Sequence, residues 1–569
     1  MYILGINAYH ADSSAALLRN GEVIFATEEE RFERIKHWAG LPLKSIAFCL
    51  EAEGISIKDV AAICIGRDPK AKLKNKIRYT LSNRKIAMAM FKQRFSNRND
   101  LQSIEGQITE TFGYCPPVQY IEHHRAHLAS AFFSSPFDEA AVVSIDGSGD
   151  FSTVMIGRAK NNTIEVLESQ DFPVSIGIFY SAFTQFLGFP YYGDEYKVMG
   201  LSPYGQPVFL EEMRKVIWSG KKTILEWDKS YFDLEGGVIS YENNMPIVST
   251  LFKKEKIESI FGKKKSKTDE FEQRHKDIAS SVQKRTEELI FEILIRAFEL
   301  TGLDKVCIAG GVAQNSVANG KVLEHTPFKQ LYIPSAGHDA GISMGAAQYY
   351  YFNDLKNERI EPLYNANLGI SFTNDQIKGI LDELNLEATY MEDEQLFEYL
   401  ATQISTSAVV GFFDGRAEFG PRALGSRSIL ADPRNEKAQQ LLNEKIKKRE
   451  SFRPFAPSVL EEFGSTYFEN YQFTPFMERV LPIKQEMRSK IPAVTHVDGS
   501  GRLQSVSKEL RPRYHALITK FYEKTGVPIL INTSFNENEP VVNHPKEALD
   551  CFFRTNLDVL VLQNYVLIK

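Results

Sequence analysis

Cysteines are sparse in this sequence and never close together. The five of them (Cys49, Cys64, Cys115, Cys307 and Cys551) are scattered over 569 residues. No Cys-x-x-Cys spacing occurs, which argues against a disulfide framework and against a cysteine zinc site. Reduced thiols of a cytoplasmic protein are the expectation. No apolar run reaches ~18 residues, so no helix is expected to span a membrane. The opening MYILGINAYHADSS lacks a basic leader and soon turns polar, unlike a signal peptide. Neither sign of charge dominates: the formal net charge is −6 and the pI is near 6.1. Nothing global draws the chain to nucleic acid or to an anionic membrane. A Walker A loop is also missing, since no glycine-rich turn ends in Gly-Lys-Ser/Thr.

What is present is the composition of a globular protein, 43% hydrophobic and 25% charged. At ~150 residues per domain, the length suggests about four domain-sized units. The chain opens as strand, turn, strand, turn, strand. Met1–Ile6 is apolar, Asn7–Ser13 polar and Ala15–Leu18 apolar; Asn20-Gly21 is a hairpin signal, and Val23–Ala26 is apolar again. The same order of elements returns from Ala140, with Asp146–Asp150 (DGSGD) as its first turn. A duplicated three-strand unit with an acidic or polar first turn is how actin-like, ribonuclease-H-like nucleotide folds begin. Residues 206–270 read as a charged, aromatic insertion whose Lys263–Lys267 run is a solvated loop. A long amphipathic helix is expected from about Asp269 to Leu300, stopped by Thr301-Gly302. Lys305–Ala309 reads as a strand. Residues 352–376 read as a linker, and the segment beyond it as a separate domain. That domain is expected to hold strands at Val409–Phe413 and Val527–Asn532 and a helix at Lys437–Lys447.

Several motifs carry chemistry. In EHHRAHLASAF, His123 and His127 are four residues apart, so a helix presents both imidazoles on one face. Asp146, in the first turn of the second unit, and Asp339, in SAGHDAG, are acidic residues at glycine turns after strands. Two histidines and two aspartates suit a divalent metal with open positions, such as Fe(II), Mn(II) or Zn(II). GGVAQNSVAN (Gly310–Asn319) joins a strand to a helix, and its glycines let backbone approach a phosphate. GDEYKVMGLSPYG is a second glycine-rich turn, carrying Asp194, Glu195 and Lys197. The densest signal is GRAEFGPRALGSRSILADPR (Gly415–Arg434) followed by KIKKRESFRPFAP. Arg416, Arg422 and Arg427 stand among glycines, then come Lys447 and Arg453. Guanidinium forks and an ammonium suit a phosphate-bearing small ligand. The strand ILINTSFN ends in Asn532, Thr533 and Ser534, donors that could complete such a site.

These stretches, together with EEERFERIKHWAG, resemble the NodU/CmcH carbamoyltransferases in the same order from the first strand to about Asn536. The resemblance implies two α/β domains. Residues 1–355 would form a TsaD-like domain of actin-like fold with an iron-type metal site. Residues 370–569 would form a YrdC-like domain that makes carbamoyl-adenylate from carbamoyl phosphate and ATP. It implies His123, His127, Asp146 and Asp339 as metal ligands, with Fe(II) the first choice and magnesium left open beside ATP. Arg422, Lys447, Arg453, Arg502 and Ser534 would hold carbamoyl phosphate and the adenylate, with Arg416 and Asn532 beside them. Gly310, Gly311, Asn315 and Lys197 would face the nucleotide in the first domain. The adenylate is expected to pass internally to an acceptor hydroxyl on a small molecule. Asp12 is the first candidate for the acceptor-side base and His10 the second. Many members have His directly before the Asp of this turn, where this chain reads His10-Ala11-Asp12. Two other classes stay open: a tRNA threonylcarbamoyl-type modifier, which the acidic balance disfavours, and an actin-like sugar kinase, which needs neither the HxxxH pair nor the arginine-rich domain. No nucleic-acid or membrane partner is expected, and a homodimer is left open.

Overall fold

The computed structural model describes residues 1–82, 104–235 and 237–569. It divides into two units rather than four, Met1–Leu363 and Tyr364–Lys569. The first unit holds two five-stranded sheets. One consists of β1 (Tyr2–Asn7), β2 (Ser14–Arg19), β3 (Glu22–Glu28), β4 (Val60–Ile65) and β5 (Val118–Tyr120). Strands β1–β3 form an antiparallel meander, and β4 and β5 add in parallel beside β1. The other consists of β6 (Glu139–Gly149), β7 (Ser152–Lys160), β8 (Thr163–Asp171), β9 (Lys305–Ala309) and β10 (Gln330–Tyr332). Its meander and parallel additions repeat the first sheet, so the spatial orders β3-β2-β1-β4-β5 and β8-β7-β6-β9-β10 match strand for strand. This is the duplicated actin-like topology.

Sequence and burial explain the central strands. Ile3, Leu4 and Ile6 in β1, and Val142, Val143 and Ile145 in β6, are buried on consecutive positions. Runs of β-branched residues buried on both faces are what strands covered on both sides require. Three helices matter below: α1 (His123–Phe132), α2 (Gln273–Thr301) and α3 (Ser316–His325). Helix α2 starts later than expected and ends on Gly302, whose φ of 68° makes the left-handed cap that favours glycine.

Some expectations fail locally. DGSGD is not the turn: β6 runs on through Gly149, and the chain reverses at Asp150 and Phe151, both with positive φ. The GDEYKVMG segment is a helix over Glu195–Leu201 rather than a loop. The insertion folds into two antiparallel ribbons, Ile217–Ser219 with Leu225–Trp227 and Ile239–Glu242 with Met245–Val248. Lys265 of the lysine run is buried, its ammonium 4.3 Å from the Phe271 ring centroid.

The second unit is built on one mixed nine-stranded sheet. Its strands are β11 (Thr389–Tyr390), β12 (Val410–Phe413), β13 (Arg427–Ala431), β14 (Ala456–Leu460), β15 (Arg479–Pro482), β16 (Ser500–Val506), β17 (Ile529–Ser534), β18 (Val559–Leu562) and β19 (Tyr565–Ile568). They lie in the order β11-β19-β18-β12-β13-β17-β14-β16-β15. The expected helix at Lys437–Lys447 is one turn of α-helix, Ala438–Leu441, running into a π-turn to Ile446. The linker read at 352–376 is shorter, because helical turns reach Asp354 and a capped helix starts at Asn374.

Candidate functional site

In the first unit, chemistry collects where the parallel strands end. His10 and Asp12 follow β1, Arg67 follows β4, α1 opens with His123 after β5, and Asp146 lies near the end of β6. Gly310 follows β9, and Asp339 follows β10. The carboxyl ends of parallel strands are where α/β sheets hold ligands, because the chain leaves there in loops of free geometry.

Helix α1 delivers both imidazoles as the four-residue spacing requires. The backbone N–H of His123 donates to Asp150 Oδ2 at 2.9 Å, and the Asp68 N–H donates to the same oxygen at 2.7 Å. His123 Nε2 lies 3.0 Å from Asp146 Oδ2 and 3.7 Å from Asp339 Oδ1. His127 Nε2 lies 3.7 Å and 3.3 Å from those two oxygens. All four side chains are buried, and one ligand atom from each fits within 4.8 Å of the others. His124 points away to Ser144 Oγ at 2.8 Å. Burial alone would drive Asp146 and Asp339 toward the neutral form, yet the neighbouring imidazoles hold both well below the carboxylate range. Burial opposes charge on His127 too, but the two carboxylates outweigh it and lift its pKa to about 9. His127 Nε2 and Asp339 Oδ1 are nonetheless buried without a hydrogen-bond partner. Two imidazoles and two carboxylates converging on one buried spot, with His127 Nε2 and Asp339 Oδ1 left without hydrogen-bond partners, fit a divalent cation.

His10 and Asp12 are engaged differently. His10 Nδ1 lies 2.8 Å from Asp339 Oδ2, so it supports a carboxylate of the cluster. Asp12, with φ 59°, contacts His37, whose Nδ1 is 2.7 Å from Asp12 Oδ1. The His37 N–H donates to Glu30 Oε2 at 2.8 Å. Burial works against charge on Asp12 and His37, but their pairing holds Asp12 ionised and raises His37 to about 9. His37 was not singled out from the sequence, although HWAG closes the charged stretch EEERFERIKHWAG. Gly193 makes room for it: a Cβ there would meet His37 Nε2 at 2.7 Å.

The glycine turn after β9 packs against the cluster. Gly310 has φ 95°, and a Cβ there would lie 2.2 Å from the Ile145 carbonyl oxygen. The Gly311 N–H donates to Asp146 Oδ1 at 3.0 Å. Asn315 caps α3 by accepting from the Ala318 N–H and exchanges two hydrogen bonds with Gln283. Lys197 lies 2.7 Å from Asp194, so its charge is balanced within its own helix.

In the second unit, the arginines of the dense segment separate into two kinds. Arg416 donates to the carbonyls of Leu368 and Gly369. Arg427, fully buried, donates to the carbonyls of Asp414, Gly415, Ser426 and Ile370 and covers the Phe413 ring. Both hold backbone, so the expected ligand role of Arg416 gives way to an internal one. Arg502, on β16, is of the other kind. Its Nε is buried without a hydrogen-bond partner. Burial, and then the charges of Arg422, Arg449 and Arg453, push its pKa well below the arginine range. No carboxylate pairs with Arg502 among the described residues. Arg449 joins this cluster although the sequence reading passed it over; its four-residue spacing from Arg453 was the available signal.

The loop bearing Arg422 is shaped by Glu418, whose Oε1 accepts the N–H groups of Leu424, Ser426 and Arg427 at 2.7, 2.7 and 3.3 Å. Lys447 and Ser534 do meet. The Lys447 ammonium, 2% exposed, donates to Ser534 O and Oγ and to Asn536 O and Oδ1 at 2.5 to 3.2 Å. It therefore ties the strand-end loop together. Asn532 lies inside the sheet, donating to Ser458 and Gln504 rather than pointing outward.

Known proteins agree on the family. A family described as "Carbamoyltransferase N-terminus" matches residues 2–348, and one described as "Carbamoyltransferase C-terminus" matches residues 401–569. "Nodulation protein NolNO" of Sinorhizobium fredii is 35% identical over 99% of this chain and 80% of its own length. "Uncharacterized protein sll1178" of Synechocystis is 38% identical over 100% of this chain and 97% of its own. Among solved structures, the (R)-2-hydroxyglutaryl-CoA dehydratase component A of Acidaminococcus fermentans covers 62% of this chain and 98% of its own. It is 16% identical with a TM-score of 0.34, too loose a likeness to bear on function. No helix among the described residues is long and apolar enough to cross a membrane. With both halves matched in order and a relative aligned almost end to end, this chain belongs to the carbamoyltransferase family.

Proposed function

We propose that this transferase is an ATP-dependent O-carbamoyltransferase acting in the cytoplasm on a hydroxyl of a small sugar or natural-product acceptor. The observation that carries the reading is Arg502: a half-buried guanidinium with an orphaned Nε, no carboxylate partner among the described residues and further arginines as its charged neighbours calls for a phosphate-bearing ligand. Carbamoyl phosphate and ATP supply such a ligand. Arg422, Arg449, Arg453 and Arg502 offset the charge that crowds as a carbamate oxygen attacks the α-phosphorus and pyrophosphate leaves. Lys447 holds Ser534 and its loop against this site. Carbamoyl-adenylate is the product.

Transfer belongs to the first unit. His123, His127, Asp146 and Asp339 would hold a divalent cation, Fe(II) being our first choice from the imidazole–carboxylate donor set. When bound, that cation supplies Lewis-acid polarisation of a phosphate oxygen. The Gly310–Gly311 turn lets backbone N–H groups approach the adenylate. Asp12, ionised and oriented by His37, accepts the hydrogen bond of the acceptor hydroxyl, whereas His10 is committed to Asp339. The charge balance disfavours a tRNA substrate.

The test uses the intact protein with ATP and carbamoyl phosphate. AMP release should depend on both substrates. His123→Ala should keep AMP release and lose transfer to acceptors in a screen of sugars and aminoglycosides. Wild-type protein that releases no AMP would refute the activation half, and His123→Ala protein that is folded yet releases none would refute the division of labour.

A further inference from the structure

Two tyrosines of the first unit stand beside the turn that carries Asp12, and the steps above use neither. Tyr192 meets the His37 ring edge-on, with centroids 5.0 Å apart. Tyr241 lies 6.4 Å, centroid to centroid, from the His10 ring. His37 in turn contacts Asp12 at 2.7 Å, and His10 contacts Asp339 at 2.8 Å. One phenol therefore stands behind the Asp12 side of the transfer centre and the other behind its metal-cluster side. The charges of both Asp12 and Asp339 act on each of them. Both rings are half-buried, so each keeps part of its surface for contact.

Tyr241 comes to this place on a hairpin of the insertion. Strand Ile239–Glu242 pairs with Met245–Val248, and the chain reverses at Asn243-Asn244 with φ 50° and 58°, a two-residue turn that asparagine tolerates. The register pairs Ile239 with Val248 and Tyr241 with Pro246, so these apolar side chains share one face. All of them are half-buried, whereas Met245 and Ile247, on the other face, are 39% and 43% exposed. The hairpin tip is fastened to the HWAG loop, where the Ala39 N–H donates to Asn244 O at 2.8 Å. That loop is fastened to the Asp12 turn in the same way. The Ser13 N–H donates to Trp38 O at 2.9 Å, and the Tyr9 N–H donates to Gly40 O at 3.2 Å. Backbone hydrogen bonds thus connect hairpin, loop and turn.

The polar groups here are arranged as donor, acceptor, donor. Asp12 gives Oδ1 to His37 and keeps its second oxygen as an acceptor. Burial opposes charge on His37, yet Asp12 lifts its pKa to about 9, so both ring nitrogens carry protons at pH 7. Nδ1 faces Asp12, and Nε2 has no hydrogen-bond partner among the described residues. Glycine at 193 keeps the space beside Nε2 open. Burial, and then the charge of Asp12, push the Tyr192 phenol well above its usual range, so its hydroxyl stays a donor. That hydroxyl makes no hydrogen bond among the described residues. A sugar ring has the matching chemistry: apolar C–H faces that lie on aromatic rings, and neighbouring hydroxyls that each donate and accept. We propose that Tyr192 and Tyr241 are the acceptor-contacting residues that select a sugar, Tyr192 donating to a hydroxyl next to the one that receives the carbamoyl group and Tyr241 packing on the apolar face of the ring. A simple alcohol has neither the face nor the second hydroxyl in place.

This inference rests on the transfer half of the proposed function, and the experiment separates the two. The intact wild-type chain, Tyr192→Phe and Tyr241→Leu are given ATP and carbamoyl phosphate with two sets of acceptors. One set is methyl α-D-glucopyranoside, N-acetylglucosamine, sucrose and kanamycin; the other is glycerol and cyclohexanol. Carbamoylated product is measured against acceptor concentration, and metal content reports whether the centre is intact. Wild type should show a lower KM for saccharides than for the simple alcohols. Tyr192→Phe should raise the saccharide KM ~3- to 10-fold, as loss of one hydrogen bond predicts. Tyr241→Leu, which fills space without a flat ring, should raise it ~10-fold. Neither should change the KM of the simple alcohols. An equal rise for both acceptor sets would overturn the proposal, because a residue that only shapes the site impairs both. An unchanged saccharide KM, or loss of metal with the rise, would also overturn it. A wild-type chain that carbamoylates the alcohols but no saccharide would overturn it while leaving the transfer reading standing. A wild-type chain that releases AMP and carbamoylates nothing in either set would defeat that reading, and the proposal with it.

Discussion

The two units gather charge in different ways, acids with imidazoles in the first and guanidiniums in the second. Around His123, His127, Asp146 and Asp339, acids and imidazoles crowd one buried spot, with orphaned atoms facing one another. Around Arg502, guanidiniums crowd a half-buried spot with no acid at the centre. Elsewhere the chain balances its charges: Arg214 meets Glu211 and Glu288, and Arg296 meets Glu168. Like charges held together in low dielectric persist because the rest of the fold over-determines them. Converging carboxylates and imidazoles suit a cation in the first unit, and the guanidiniums around Arg502 suit a phosphate in the second.

The sharpest way to break this contrast is to remove one side only. Asp339→Ala should lower metal content of the purified protein more than ~10-fold, abolish transfer and spare AMP release; elemental analysis beside an AMP assay reads both. Arg502→Ala should do the reverse, with metal intact and AMP release cut ~10- to 100-fold, in keeping with ~1.5–3 kcal/mol for a charge-assisted hydrogen bond. Arg502→Lys should recover part of that loss, since an ammonium restores the charge but not the fork. Loss of metal in Arg502→Ala, or of AMP release in folded Asp339→Ala, would dissolve the division.

Glycine substitutions sharpen the comparison on the first unit. Gly310→Ala combines left-handed φ with a backbone clash beside Asp146. It should cost ~1–3 kcal/mol or more, visible as a lower Tm, and impair transfer with it. Gly54→Ala shares the left-handed φ but meets nothing within 4 Å, so it should cost ~1 kcal/mol and leave activity alone. The smallest effect is on pH. His37 is raised from 6.5 to about 9 by Asp12, so its share of stability is complete below pH 6.5 and is lost as pH rises through about 9. A wild-type Tm should fall over that window relative to Asp12→Asn, and parallel profiles would refute the pairing.

Much of the first site was legible because its signals are local. The four-residue His spacing needs only a helix, and Asp146 and Asp339 stand at glycine-marked strand ends. The duplicated meander was visible as a repeated order of apolar runs. DGSGD misled, because a strand that bulges past its turn signal is held by its partner β7, which lies outside the motif. GDEYKVMG misled in the same way: glycine at 193 serves the His37 ring across space rather than a loop. In the second unit Arg416, Arg422 and Arg427 look alike on paper. Carbonyls at Leu368, Gly369 and Ile370, some fifty residues upstream, claim two of them.

The sequence by itself determined the kinds of element, the central buried strands, the carbamoyltransferase resemblance and the inventory of charged and imidazole side chains, because these depend on periodicity, composition and short spacing. Tertiary structure alone decided which charges are spent and which are free. Arg416, Arg427, Lys197 and Lys447 found partners inside the protein, whereas Arg502 and His127 kept unsatisfied atoms. A hydrogen bond is decided by a few tenths of an ångström between groups far apart in the chain, and the sequence carries no such distance.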